Sequence, residues 1–149
     1  MAIITAALGL SMAAAGPASA ADGVGTWVHY GNTNPITSSA STWRCGPTQT
    51  VEETGMVAQV CAIRSASGNS AQAAVIVRNN LGTSQSTDAW MRLRNSADSS
   101  IAGTWDCDST GVAANSWKVC FGETLYPKLA SVYARGFAGI EILERSPDV

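Results

Sequence analysis

Thr42-Trp43-Arg44-Cys45 with Gln59-Val60-Cys61, and Thr104-Trp105-Asp106-Cys107 with Lys118-Val119-Cys120, decide how this chain is read. All 4 cysteines of the sequence fall inside these two copies of one pattern. Four cysteines allow three connectivities. We favour the pairings that are local in sequence, Cys45–Cys61 and Cys107–Cys120. Each closes a loop of about 15 residues, which contributes roughly 3 kcal/mol in the chain-entropy view of a disulfide. The intervals 45–61 and 107–120 are not the short cysteine pairs of a zinc ribbon. The reading therefore carries no metal and no cofactor. Trp43 and Trp105 each stand two residues before a cysteine, and tryptophan packed on a bridge is a common sandwich-core element. Both are read as structural.

The pattern extends outward from the cysteines. Ala73-x-Val75-x-Val77-Arg78 follows the first copy and Ala130-x-Val132-x-Ala134-Arg135 follows the second. The spacing predicts two pseudo-repeated halves, about 42–97 and 104–147. Around them the chain reads as strands at 25–30, 42–46, 56–64, 71–79, 88–95, 100–107, 116–122, 130–136 and 139–145. In 56–64, Val57, Gln59, Cys61 and Ile63 alternate with Ala58, Val60, Ala62 and Arg64, the period of two of a strand. Gly31-Asn32, Ser67-Gly68-Asn69, Asn79-Asn80-Leu81-Gly82 and Gly111 through Ser116 supply turns. Segment 31–41 is polar and holds Pro35, so it reads as a surface loop or a linker. The expected fold is all-β: an antiparallel β-sandwich of about 8–9 short strands with two disulfides, a small β-barrel being the alternative.

Residues 1–20 read as a secretory signal peptide. Ala2 to Ala15 is mostly apolar, Gly16-Pro17 breaks the run, and Ala18-Ser19-Ala20 offers small residues for cleavage. The run is too short for a membrane span, which needs about 20 residues. It departs from the usual signal in having no Lys or Arg before Arg44. Residues 21–149 then form a single domain, secreted into a compartment where disulfides persist. Net charge is −2 and charged residues make up 13% of the chain. So mild a balance argues against nucleic acid, whose phosphates call for a concentrated basic surface.

Trp43-x-Cys45, Val60-Cys61, Ala74-Val75-Ile76-Val77-Arg78-Asn79-Asn80 and Val119-Cys120-Phe121-Gly122, on an Ala/Gly-rich background, resemble the small secreted β-proteins of high-GC Gram-positive bacteria. The resemblance implies export and a β-sandwich, and it carries over no functional residue.

The catalytic inventory is thin. The one histidine, His29, lies in an alternating stretch, and no Gly-x-Ser-x-Gly elbow accompanies it. Glu52-Glu53 read as solvated, and Glu141 and Glu144 lie near the C-terminus, so nothing marks the carboxylate pair of a glycosidase. Asp106-Cys107-Asp108-Ser109-Thr110-Gly111 resembles the opening of a calcium loop, but Trp117 stands where the bidentate Glu belongs. A strand end followed by an Asx or Ser/Thr turn is the favoured reading there. Gly111 to Lys118 and Glu123 to Lys128 are candidate protease-binding loops, because a neighbouring bridge lowers the ordering cost of a loop.

Strand 88–95 carries the candidate binding site. Met91 and Leu93 form an apolar face, and Trp90, Arg92 and Arg94 form the opposite one. Unpaired guanidinium groups are too costly to bury, so this second face is predicted to be exposed, with Trp90 beside cations that stack on aromatic or sugar partners. The functional expectation is a secreted, non-catalytic protein that binds an extracellular protein or glycan. A secreted protease inhibitor and a secreted hydrolase are the alternatives.

Overall fold

The computed structural model describes residues 20–126 and 129–149. The signal reading, apart from Ala20, lies outside them, as do Pro127 and Lys128 of the second candidate loop. The described residues are all-β, in eleven strands: β1 (Ala21–Val24), β2 (Thr26–Gly31), β3 (Thr42–Cys45), β4 (Gln49–Val51), β5 (Met56–Arg64), β6 (Ala71–Asn79), β7 (Gln85–Asn95), β8 (Ile101–Val112), β9 (Ser116–Phe121), β10 (Val132–Ala138) and β11 (Glu141–Leu143). Among the described residues no helix is long and apolar enough to cross a membrane. The predicted strands 56–64 and 71–79 coincide with β5 and β6. Sequence reading passes over β1 and β4, which are too short to show an alternation.

The strands form two open sheets rather than a barrel. Sheet A has the order β1-β8-β7-β10-β11, and sheet B the order β2-β9-β6-β5-β3 with β4 also on β5. Pairing is antiparallel except for β1, which lies parallel to β8. Alternation decides the core. Met56, Val60, Val75 and Val77 from sheet B meet Met91, Leu93, Trp105, Val132 and Ala134 from sheet A, all essentially without solvent exposure.

Both predicted disulfides are present, and their positions differ. Cys45 and Cys61 face each other across the neighbouring strands β3 and β5. Cys107 of β8 and Cys120 of β9 tie sheet A to sheet B. The two copies of the pattern take different places in the sheets. The first copy supplies β3, β5 and β6, which are neighbours in sheet B. The second supplies β8, β9 and β10, which alternate between the sheets. The physical reason is that Trp-x-Cys encodes only which side of a strand the two side chains share. In the first copy that side faces outward and in the second it faces the core.

The outer face of sheet B is partly covered. Ile63, Ala74, Ile76, Val119 and the first bridge form a second apolar cluster, joined by Trp43 and Phe121 in an edge-to-face contact of 5.8 Å. Segment 31–41 lies on this cluster through Ile36, with Pro35 buried. Asn34 Oδ1 accepts the Ile36 amide at 2.9 Å and holds the turn. The segment is therefore a surface loop, anchored on the sheet by Pro35 and Ile36, and not a linker.

The two edges of the sandwich are laced. At one, Gly25 carries the chain from β1 in sheet A to β2 in sheet B. A Cβ there would lie 2.7 Å from Cys107 Sγ and 2.8 Å from the Phe121 carbonyl oxygen, so only glycine passes this crossing. At the other, Gln49 of β4 reaches β11: its amide nitrogen donates to the Ile142 carbonyl at 2.9 Å and its oxygen accepts the Glu144 amide at 2.6 Å. Gln49→Ala removes both bonds. It is expected to cost about 1–2 kcal/mol and to speed hydrogen exchange at the Glu144 amide. Unchanged exchange there would show that β11 is held by packing alone.

Candidate functional site

The outer face of sheet A is assembled by register. Side chains opposite each other on paired strands project from the same side of the sheet. One row runs Val24, Asp106, Trp90, Phe137, Ile142 across β1, β8, β7, β10 and β11. The next runs Asp22, Thr104, Arg92, Arg135. A third places Arg94 opposite Tyr133. Met91 and Leu93 point inward and are fully buried, as the alternation of 88–95 predicts. Trp90, Arg92 and Arg94 lie on the outer side but are half-buried, because they pack on one another and on their neighbours.

Trp90 is the centre of that packing. Its ring meets Phe137 edge-to-face with centroids 5.3 Å apart, and the Arg92 guanidinium sits 4.8 Å from its centroid. Phe137 is 36% exposed, and the row ends in Ile142 at 68%. Arg92 Nε donates to Thr104 Oγ1 at 3.2 Å, which fixes the guanidinium over the ring. Arg94 donates from NH1 to the Ser99 carbonyl at 2.6 Å, while its Nε is buried with no partner among the described residues. The Tyr133 hydroxyl donates to Ser99 Oγ at 3.1 Å, and the Arg145 guanidinium covers its ring at 3.7 Å. The bond to Ser99, with Arg135 and Arg94 nearby, holds the Tyr133 phenol below its ordinary pKa.

Sequence reasoning named Trp90, Arg92 and Arg94 but missed Phe137, Tyr133 and Arg135. The alternation of 130–136 could have flagged Tyr133 and Arg135. Only strand pairing places them beside β7. A shallow, open depression of about 360 Å³ adjoins Arg92, lined also by Asp22, Gly23, Ile101, Thr104 and Asp106.

The other candidates fall elsewhere. His29 is exposed on the edge strand β2 of sheet B, opposite Lys118. Glu52 and Glu53 occupy the exposed turn between β4 and β5. The calcium reading of 106–111 is overturned: the segment continues as β8 to Val112 and does not wrap into a loop, nor does it end in an Asx turn. The bond from Trp27 Nε1 to the Asp108 carbonyl, 2.8 Å, ties this stretch to β2. No group of three His, Cys, Asp or Glu side chains suited to a metal ion occurs among the described residues. Gly111 to Lys118 is strand except for a tight turn at 113–115, with Asn115 at φ 50. It presents no projecting loop. In the second candidate loop, Leu125 is bonded in both directions to Ala71 of β6, whereas Tyr126 is 80% exposed. The chain matches no family model and no curated protein.

Proposed function

We propose that this is a secreted, non-catalytic binding protein whose outer sheet A face takes an extracellular glycan. Export is supported by the two disulfides, which persist in oxidising compartments, and by the signal-like residues 1–20. One observation carries the binding role. On the outer face of sheet A, Trp90 packs between Phe137, which is 36% exposed, and the Arg92 guanidinium, in a row that ends in Ile142 at 68%. A sugar ring has an apolar face that stacks on an aromatic platform, and its hydroxyls bond to neighbouring guanidinium groups. The depression beside Arg92 is shallow and too open to enclose a small molecule. An extracellular protein partner would use the same stack as an aromatic and arginine anchor.

The test is a glycan array probed with the wild-type protein and with Trp90→Ala. Loss of the platform is expected to weaken binding roughly 5- to 150-fold, from about 1–3 kcal/mol per stacked ring. The fold itself is expected to lose only about 1 kcal/mol, the scale of one aromatic pair. Undiminished binding by the variant would remove the face from the function.

A further inference from the structure

We infer that the sugar recognised on sheet A is acidic, carrying a carboxylate or a sulfate, and that Arg92 and Arg135 grip its anionic group; this rests on the glycan reading above. Arg92 and Arg135 stand directly opposite each other on β7 and β10. Like charges directly opposed on neighbouring strands repel and destabilise a sheet. Neither arginine forms an ion pair among the described residues. Among the described residues the one ion pair is Arg145–Asp148, at 2.6 Å. Arg94, two residues along β7, adds a third cation on the same side and holds a buried Nε without a partner. Three arginines thus share this side of sheet A, where an anion would relieve the repulsion between Arg92 and Arg135, and guanidinium forks match carboxylate and sulfate oxygens in pairs.

The surrounding charges set the size of the ligand. Asp88 precedes Trp90 on β7, Asp106 lies opposite Trp90 on β8, and Asp22 lies on β1 beyond Thr104. The positive patch is thus bounded by carboxylates on the β1–β8 side and at one end of β7. A densely charged strand such as nucleic acid would run onto those carboxylates. A saccharide unit has its ring on Trp90 and Phe137 and its anion toward Arg92 and Arg135, and so meets each group with its complement.

The experiment compares tri-galacturonate, its methyl ester and a sulfated disaccharide by calorimetry, against wild type, Arg92→Gln, Arg135→Gln and Trp90→Ala. Tri-galacturonate or the sulfated disaccharide is expected to bind and the ester to bind at least tenfold more weakly, since a charge-assisted bond is worth about 1.5–3 kcal/mol. Each Arg variant should remove that preference. Without ligand, Arg135→Gln should keep its melting midpoint or raise it by about one or two degrees, because a like-charge pair is relieved. Equal binding of acid and ester, with Trp90→Ala still weakening both, would leave the glycan site standing and overturn the acidic preference. Binding of neither saccharide, or equal binding of a single-stranded DNA oligomer at the same face, would overturn the inference outright.

Discussion

Trp105→Ala is expected to lower folding stability by about 3–5 kcal/mol, the range for emptying a buried aromatic site. Trp105 is 1% exposed and heads the fully buried side chains by volume. Its ring lies where neighbours have given up their side chains. A Cβ on Gly103 would strike the far edge of the indole, and one on Gly122 would lie 2.5 Å from it. The site therefore cannot close over the hole by a small shift, because the walls are backbone. Gly122→Ala is expected to destabilise as well, by about 1–3 kcal/mol through overpacking. Urea unfolding followed by circular dichroism measures both. A loss below about 1 kcal/mol for Trp105→Ala would mean that the ring does not fill the space between the sheets. The contrast with Trp90→Ala, which should cost little, separates core tryptophan from surface tryptophan in one chain.

Removing the Cys107–Cys120 bridge by a double Cys→Ser change is expected to cost about 3–5 kcal/mol, and removing Cys45–Cys61 about 2–3 kcal/mol. Chain entropy alone separates the two very little, since the bridges span 13 and 16 residues. Position makes the difference. Cys45 and Cys61 join strands already paired through the backbone from Thr42 to Cys45. Cys107 and Cys120 join strands of opposite sheets beside the Gly25 crossing, where Gly25 N–H donates to the Asp106 carbonyl at 2.7 Å. Loss of that bridge should free β1 and β2 as well as the sheets. Thermal unfolding of the two double variants decides the order, and equal midpoints would show that the inter-sheet location adds nothing.

The candidate site was half legible in the sequence. Trp90, Arg92 and Arg94 stand out because a strand with Met91 and Leu93 on one side must turn its guanidinium groups to the other. Phe137 and Arg135 belong to a strand some forty residues on, and nothing local ties them to β7. Their contribution arises from the β7–β10 register, which sets Trp90 against Phe137 and Arg92 against Arg135.

The cysteine motifs were legible as bridges, and their likeness did not extend to the sheets that their strands join. Loop closure favours partners close in sequence, which is why the local pairings are preferred among the three that four cysteines allow. Strand identity is legible too, since period-two alternation is a local property of the backbone. The sequence by itself thus determined an all-β chain, its longer strands and the side of β7 that carries charge, and it favoured the two disulfides found. Only the tertiary structure decided which sheet each strand joins, and with it that one Trp-x-Cys lies outside and the other inside. It also decided that segment 31–41 packs on the outer face of sheet B through Ile36. Sheet membership depends on pairings between distant strands and on the burial of whole faces. Such free energies are summed over residues far apart in the chain, and no short stretch of sequence contains them.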